Sequence, residues 1–298
     1  MLKEVERLLG ATPTSVVDIT SPWGSGTRTQ LLTLARGEQV VLQRSADRAG
    51  MGRRIRLGRE LPLRAPALPI ASVIAADTRP PMPFAVTRFA NGISGAEMLG
   101  TDRDAIVLAD LMGRLVPLLA AVPTRGLRLS TRWSEPEQLA DVARRWLARG
   151  KKLLGPDAAA DVERLIEEVP GLLGDAPATF AHGDFAPVNV IVHNAEIVAL
   201  IDLERARVAH PLFDPAWWRL MVRFHHPQRW AAAASPFFAT AGVDWTAHTV
   251  AQLDLLAVLQ CLELVSSSPR RQPGIGASWA ARLQAVLGWS SSRAPGRW

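Results

Sequence analysis

The chain of 298 residues is 48% hydrophobic and 21% charged, enough apolar side chain to bury a sizeable core and too much for a disordered chain. Its net charge of +6, from 34 Lys and Arg against 28 Asp and Glu, suits an anionic partner, but outside one cluster the basic residues are scattered in ones and twos and form no nucleic-acid-binding motif. A single cysteine, Cys261, excludes an intramolecular disulfide and a thiolate metal cage and fits a reducing cytoplasm.

The first residues, Met1-Leu2-Lys3-Glu4-Val5-Glu6-Arg7, carry acids where a secretion signal has a cationic start and an apolar run, so they predict a helix. Residues 16–19, 30–35 and 39–43 alternate between turn signals at Ser21-Pro22-Trp23-Gly24-Ser25-Gly26 and Arg36-Gly37-Glu38, which predicts a three-strand meander. A short helix or loop over 54–63 follows, then strands at 70–76 and 84–89. The dense cluster of Arg53, Arg54, Arg56 and Arg59 reads first as a solvated face and second as a phosphate or substrate contact.

After Asn91-Gly92 the period becomes helical, at 102–121, 136–153 and 158–169, and again at 215–224, 227–241, 246–265 and 278–287. Between these sets lies a short β segment, 188–193 and 196–202, joined at Asn194-Ala195. The apolar stretch 105–122 is interrupted by Asp110 and Arg114 and falls short of a membrane span, so no membrane partner is expected. The tail from Ser290 reads as mobile. The pattern predicts an α+β protein with a small antiparallel-sheet lobe at 1–90 and a larger helical lobe at 91–298.

Chemistry concentrates in Phe180-Ala181-His182-Gly183-Asp184-Phe185-Ala186-Pro187-Val188-Asn189 and in Ile201-Asp202-Leu203-Glu204 at the end of the next apolar strand. A carboxylate stands five residues before a carboxamide, and a second carboxylate closes the strand. Phosphoryl transfer needs a group that orients the attacking hydroxyl and accepts its proton, and oxygen ligands for Mg²⁺ on the phosphates. Asp184 can serve the first need, Asn189 and Asp202 the second. No Gly-x-x-x-x-Gly-Lys-Ser/Thr loop is present, the six His have no metal-ligand spacing, and Ser25 in Gly-Ser-Gly lacks the flanks of a nucleophile elbow.

His-Gly-Asp-x₄-Asn followed by Ile-Asp-x-Glu resembles the signature of the aminoglycoside phosphotransferase/choline kinase family, distant relatives of protein kinases. The resemblance implies a protein-kinase-like bilobal fold that uses Mg²⁺ and ATP, or GTP, to phosphorylate a small-molecule hydroxyl. It makes Asp184 the catalytic carboxylate, Asn189 and Asp202 the metal ligands, and His182 a packing and hydrogen-bonding residue. It also makes Asp214, in Pro211-Leu212-Phe213-Asp214-Pro215, the anchor of the catalytic loop, while Glu204 is divided between a metal-linked and a bracing role.

More weakly, the resemblance assigns Gly24, Ser25, Gly26, Thr27 and Arg28 to a loop over the phosphates, and Arg88 and Ala90 to the adenine edge. One departure matters. Gln43 stands where the family has a phosphate-binding Lys, and Glu60, its expected partner, has no ammonium to hold. Arg44 or Arg28 is expected to compensate. A relative that binds nucleotide without catalysis is the rival reading that Gln43 motivates.

Beyond residue 205 the acids are only Asp214, Asp244, Asp254 and Glu263, against an excess of Arg. This disfavours a polycationic acceptor. A nucleoside or macrolide antibiotic is expected ahead of an aminoglycoside, with a metabolic acceptor such as choline, homoserine or a sugar as the alternative. Trp217, Trp218 and Trp230 are read as core residues of which some line the acceptor site.

Overall fold

The alternating N-terminal segments become strands because every second side chain is apolar and finds a common core. In the computed structural model, which describes residues 2–20, 26–79, 82–174, 176–268 and 273–291, helix α1 (Leu2–Leu9) precedes β1 (Pro13–Asp18), β2 (Thr27–Leu34) and β3 (Gln39–Ser45). Then come α2 (Arg48–Arg64), β4 (Val73–Asp77) and β5 (Phe84–Arg88). These strands form one antiparallel sheet in the order β1-β2-β3-β5-β4. Leu32, Leu34, Val40, Leu42, Phe84 and Val86 pack with Val5 of α1, while Val73 and Ala85 pack with Met51 and Ile55 of α2. The two clusters follow the period of two along a strand and that of 3.6 along a helix.

The chain continues through β6 (Ile93–Ser94), α3 (Gly95–Met98), α4 (Asp102–Ala120), β7 (Ser130–Trp133), α5 (Pro136–Leu154), α6 (Pro156–Leu173) and β8 (Thr179–Ala181). A 3₁₀ turn at Pro187–Asn189 leads into β9 (Val190–His193) and β10 (Glu196–Leu200), and a second one, at Leu203–Arg205, leads into β11 (Arg207–Ala209). Helices α7 (Phe213–His225), α8 (Trp230–Thr240), α9 (Ala247–Ser267) and α10 (Pro273–Ser291) complete it. The sequence reads 227–241 as one helix. The structure instead places a 3₁₀ turn at Pro227–Arg229 ahead of α8.

Two compact units result, Met1–Gly95 with Val188–Arg205, and Ala96–Pro187 with Ala206–Trp298. The first holds the five-stranded sheet and a small sheet, β10-β9-β6. Residues 188–205 join the N-terminal strands here because Ile93 and Ser94 pair with Val192 and Ile191, and Ile70 bridges Leu200. The β9–β10 turn places Asn194 and Ala195 at φ 49° and 58°, the left-handed pair that a two-residue hairpin turn of matching twist requires.

The second unit packs α5, α6, α7 and α10 against α9, whose residues from Gln252 to Leu262 are buried. By length and composition α9 could cross a membrane, but 72% of its apolar window is buried inside the protein, which accounts for its composition. Helix α4 meets α8 at Gly113, where an added Cβ would collide with the Thr240 hydroxyl and the Phe237 carbonyl oxygen. The third sheet, β7-β11-β8, belongs to this unit and leads β8 into the loop that carries Asp184.

Candidate active site

In the second unit the first turn of α7 organises the loop after β8. The His182 N–H donates to Asp214 Oδ2 at 2.7 Å and the Gly183 N–H to Oδ1 at 3.0 Å. Asp214 is 4% exposed. Burial pushes its pKa up, against the pull of His182 and these two N–H groups. Gly183 has φ 83°, a conformation that side chains rarely adopt. His182 is fully buried and its Nδ1 accepts the Asp184 N–H at 3.3 Å. The expectations for Asp214 and His182 therefore meet a concrete geometry, in which a buried carboxylate and imidazole shape the loop from below.

Asp184 has a partner that the sequence reading did not assign. Trp217 Nε1 donates to its Oδ1 at 2.7 Å. Trp217 follows Asp214 by three positions on α7, so both reach the loop from one helix face. Trp218 points elsewhere. It is 1% exposed and stacks on Phe237 with centroids 3.6 Å apart, so its expected substrate contact gives way to a core role. Trp230, half-buried, lies beside Trp218 and beneath the Arg223 guanidinium.

An aromatic strip with interleaved arginines continues from Trp217. Its ring stacks on Trp279 at 5.7 Å, Arg282 lies 4.3 Å from the Trp279 centroid, and Arg223 lies 3.7 Å from that of Trp289. Sequence reasoning passed over Trp279, Arg282 and Trp289. Their spacing of three and seven along a helix was the available signal, since it sets all three on one face of α10.

The first unit holds the other carboxylate set. Asn189 is 6% exposed and ends a 3₁₀ turn, and its backbone oxygen accepts the Ile201 N–H at 3.0 Å. Asp202, the next residue, has φ 67°, a conformation uncommon for a residue with a side chain and one that needs support from its surroundings. The support comes from α2. Arg54 Nη2 lies 2.6 Å from Asp202 Oδ1 and 2.9 Å from Glu204 Oε1, and Arg53 Nε donates to the Glu204 carbonyl at 2.5 Å. Burial raises the pKa of Glu204, and Asp202 and Asp47 add like charge, while Arg54 opposes both.

The solvated-face reading of the arginine cluster is thus corrected at Arg54, which is 6% exposed. Glu60 pairs with Arg64 one turn on. Six residues separate it from Arg54, which puts the two on different sides of α2. Gln43 lies on β3 opposite Thr29 and Ala85. Arg28 and Arg44 are cross-strand partners. Arg28 is paired to Asp18 at 2.9 Å, and Arg44 donates to Gln30 Oε1 at 2.8 Å. Gly26 and Thr27 lead into β2, while Gly24 and Ser25 lie outside the described residues. Arg88 is exposed and 3.7 Å from Glu38, and Ala90 follows β5 half-buried.

Among the described residues no three His, Cys, Asp or Glu gather as a metal cage. One carboxylate and one amide oxygen, Asp202 and Asn189, are instead the sparse hard-oxygen set that Mg²⁺ takes together with phosphates and water. The donor chemistry therefore fits that ion.

The sequence profile of the phosphotransferase enzyme family matches residues 22–253. A search of curated proteins by sequence finds no match. Among solved structures, aminoglycoside phosphotransferase APH(4)-Ia is 16% identical with a TM-score of 0.69, over 98% of each chain. The GDP complex of aminoglycoside 2'-phosphotransferase-IIIa is 14% identical with a TM-score of 0.72, over 94% of each. The macrolide 2'-phosphotransferase MphH from Brachybacterium faecium is 17% identical with a TM-score of 0.65, over 94% of this chain and 96% of that one. At these identities the likeness establishes the protein-kinase-like phosphotransferase fold.

Proposed function

We propose that this chain, which belongs to the phosphotransferase enzyme family, moves the γ-phosphate of ATP to a hydroxyl of an antibiotic, of nucleoside or macrolide type ahead of an aminoglycoside. The observation that carries the reading is the state of Asp184, a carboxylate on a loop pinned by Asp214 and oriented by the Trp217 N–H. A group so held accepts the proton of the attacking hydroxyl without first reorganising.

Asp184 takes the hydroxyl proton as the acceptor oxygen attacks the γ-phosphorus in line, and ADP leaves. Asn189 and Asp202 would hold Mg²⁺, which when bound neutralises charge on the phosphates. Arg54 fixes Asp202 and offsets the charge that Asp202, Glu204 and Asp47 bring to one place. It is a cation on α2 in a chain whose β3 holds Gln43 at the position of the family Lys, and it weakens the case for a relative that binds without catalysis. The low acid content after residue 205 supports an acceptor other than a polycation.

The test is coupled measurement of ADP and GDP release with a nucleoside, a macrolide and an aminoglycoside panel, in wild type and Asp184→Asn. Turnover should fall about 10²–10⁴-fold in the variant. Undiminished turnover would remove Asp184 from the mechanism. Efficient use of aminoglycosides with none of uncharged antibiotics would reverse the acceptor choice.

A further inference from the structure

Two arginines next to the aromatic strip make no ion pair among the described residues, although the Asp254 carboxylate, held by Arg219, acts on Arg223 from a distance. Of the four acids beyond residue 205, Asp214 holds the catalytic loop, Asp254 is paired with Arg219 at 2.5 Å, Glu263 with Arg207 at 2.9 Å, and Asp244 is exposed. Arg223 and Arg282 are half-buried and make no ion pair or hydrogen bond among the described residues. They touch aromatic rings, Arg223 those of Trp230 and Trp289, and Arg282 those of Phe224 and Trp279.

A guanidinium lying on a ring is held by its face and keeps its edge N–H groups for an in-plane acceptor, a geometry matched to carboxylate or phosphate oxygens. Keeping such a charge partly out of water without an ion pair is unfavourable, and burial, with Arg219 adding like charge and Asp254 opposing, draws Arg223 down to about 10; burial draws Arg282 in the same direction. The position ties this feature to the reaction. Arg282 lies on Trp279, Trp279 stacks on Trp217, and Trp217 donates to Asp184.

We propose that Arg223 and Arg282 form the acceptor subsite for an anionic group, a carboxylate or a phosphate ester, on a molecule whose flat or apolar body contacts the aromatic strip and whose hydroxyl reaches Asp184. This rests on the phosphotransferase reading and, within the non-polycationic acceptors, narrows it to one that bears a carboxylate or phosphate ester. The acceptor carries negative charge, and cationic acceptors are repelled by two arginines that make no ion pair among the described residues.

Four para-substituted benzyl alcohols test it: the benzoate, the phenylphosphonate, the neutral benzamide and the cationic benzylamine. Each is scored by quenching of tryptophan fluorescence and by ATP-dependent phosphorylation. At least one anion should quench saturably and be phosphorylated about tenfold or more better than the amide, the amine not at all. The benzoate and phosphonate arms decide which oxyanion is read. Arg223→Gln and Arg282→Gln should each erase the preference while KM for MgATP holds, and Arg282→Lys should keep part of it. If a Gln variant melts early, the corresponding Met variant, which keeps an apolar stem on the ring and removes the charge, replaces it.

Equal use of the amide or amine, an anion preference unchanged in both Gln variants, or no saturable quench by either anion would overturn the subsite. Anion quenching that Arg282→Gln abolishes, with no ATP consumed for any acceptor, would leave the subsite standing and overturn phosphotransfer.

Discussion

Arg54 on α2 and Asp202 after β10 meet through Nη2 and Oδ1 at 2.6 Å although 148 positions separate them in sequence. The guanidinium is shared with Glu204, so one buried cation serves two carboxylates of the Ile-Asp-Leu-Glu segment. Replacing it with Met leaves both without counter-charge, and breaking a buried pair from one side is costly, about 3 kcal/mol before allowance for the part exposure of Asp202. Arg54→Met is predicted to lose about 2 kcal/mol in urea unfolding and to weaken MgADP binding by calorimetry about tenfold or more. Arg54→Lys should recover part of both. Arg28→Ala and Arg44→Ala should leave MgADP affinity near wild type. A large loss there instead would place the cation that supports nucleotide binding on the sheet.

Trp217 separates orientation from packing. Trp217→Phe keeps a ring against Trp279 and removes the N–H on Asp184. A hydrogen bond to a charged acceptor contributes about 1.5–3 kcal/mol, so kcat should fall about tenfold while KM for MgATP stays level, and Trp217→His should restore part of the rate. Loss of MgATP affinity with kcat intact would mean that the indole serves the fold alone.

Asp214 is expected to matter for stability as well as rate. In Asp214→Ala the His182 and Gly183 N–H groups are left buried and unpaired, which costs about 2–4 kcal/mol by denaturant titration. Asp214→Asn retains one acceptor oxygen and should lie between wild type and the Ala variant.

Acid stability should report His210. It is buried, its Nδ1 accepts the Leu212 N–H at 3.1 Å, and burial draws its pKa down to about 4. The unfolded chain, with an ordinary His pKa of about 6.5, binds the proton first. Stability is therefore full above about pH 6.5 and is lost as the pH falls towards 4, by roughly 2–3 kcal/mol from this group. His225 and His226 shift in the same direction. His210→Asn, whose amide oxygen can replace Nδ1, should flatten this slope in urea titrations between those pH values.

Much of this was open to reading in the chain itself. The three-strand meander, the Asn194-Ala195 turn and the main helices follow from short-range periodicity and turn chemistry. Asp184, Asn189, Asp202 and Asp214 lie in local motifs whose spacing one loop and one hairpin preserve. The contacts that organise them were beyond it. Arg54 looked like one member of a surface cluster because burial depends on which side of α2 meets Asp202 and Glu204, a choice made by residues 148 and 150 positions away. The difference between Trp217 and Trp218, adjacent in sequence, was likewise set by the 100° step of a helix, which turned one indole to Asp184 and the other into the core. Sequence by itself determined the chemistry and its local scaffold, because those depend on neighbours a few residues apart. Only the tertiary structure decided which cation pairs with Asp202 and which arginines, among the described residues, make no ion pair, because charge pairing depends on distance in space.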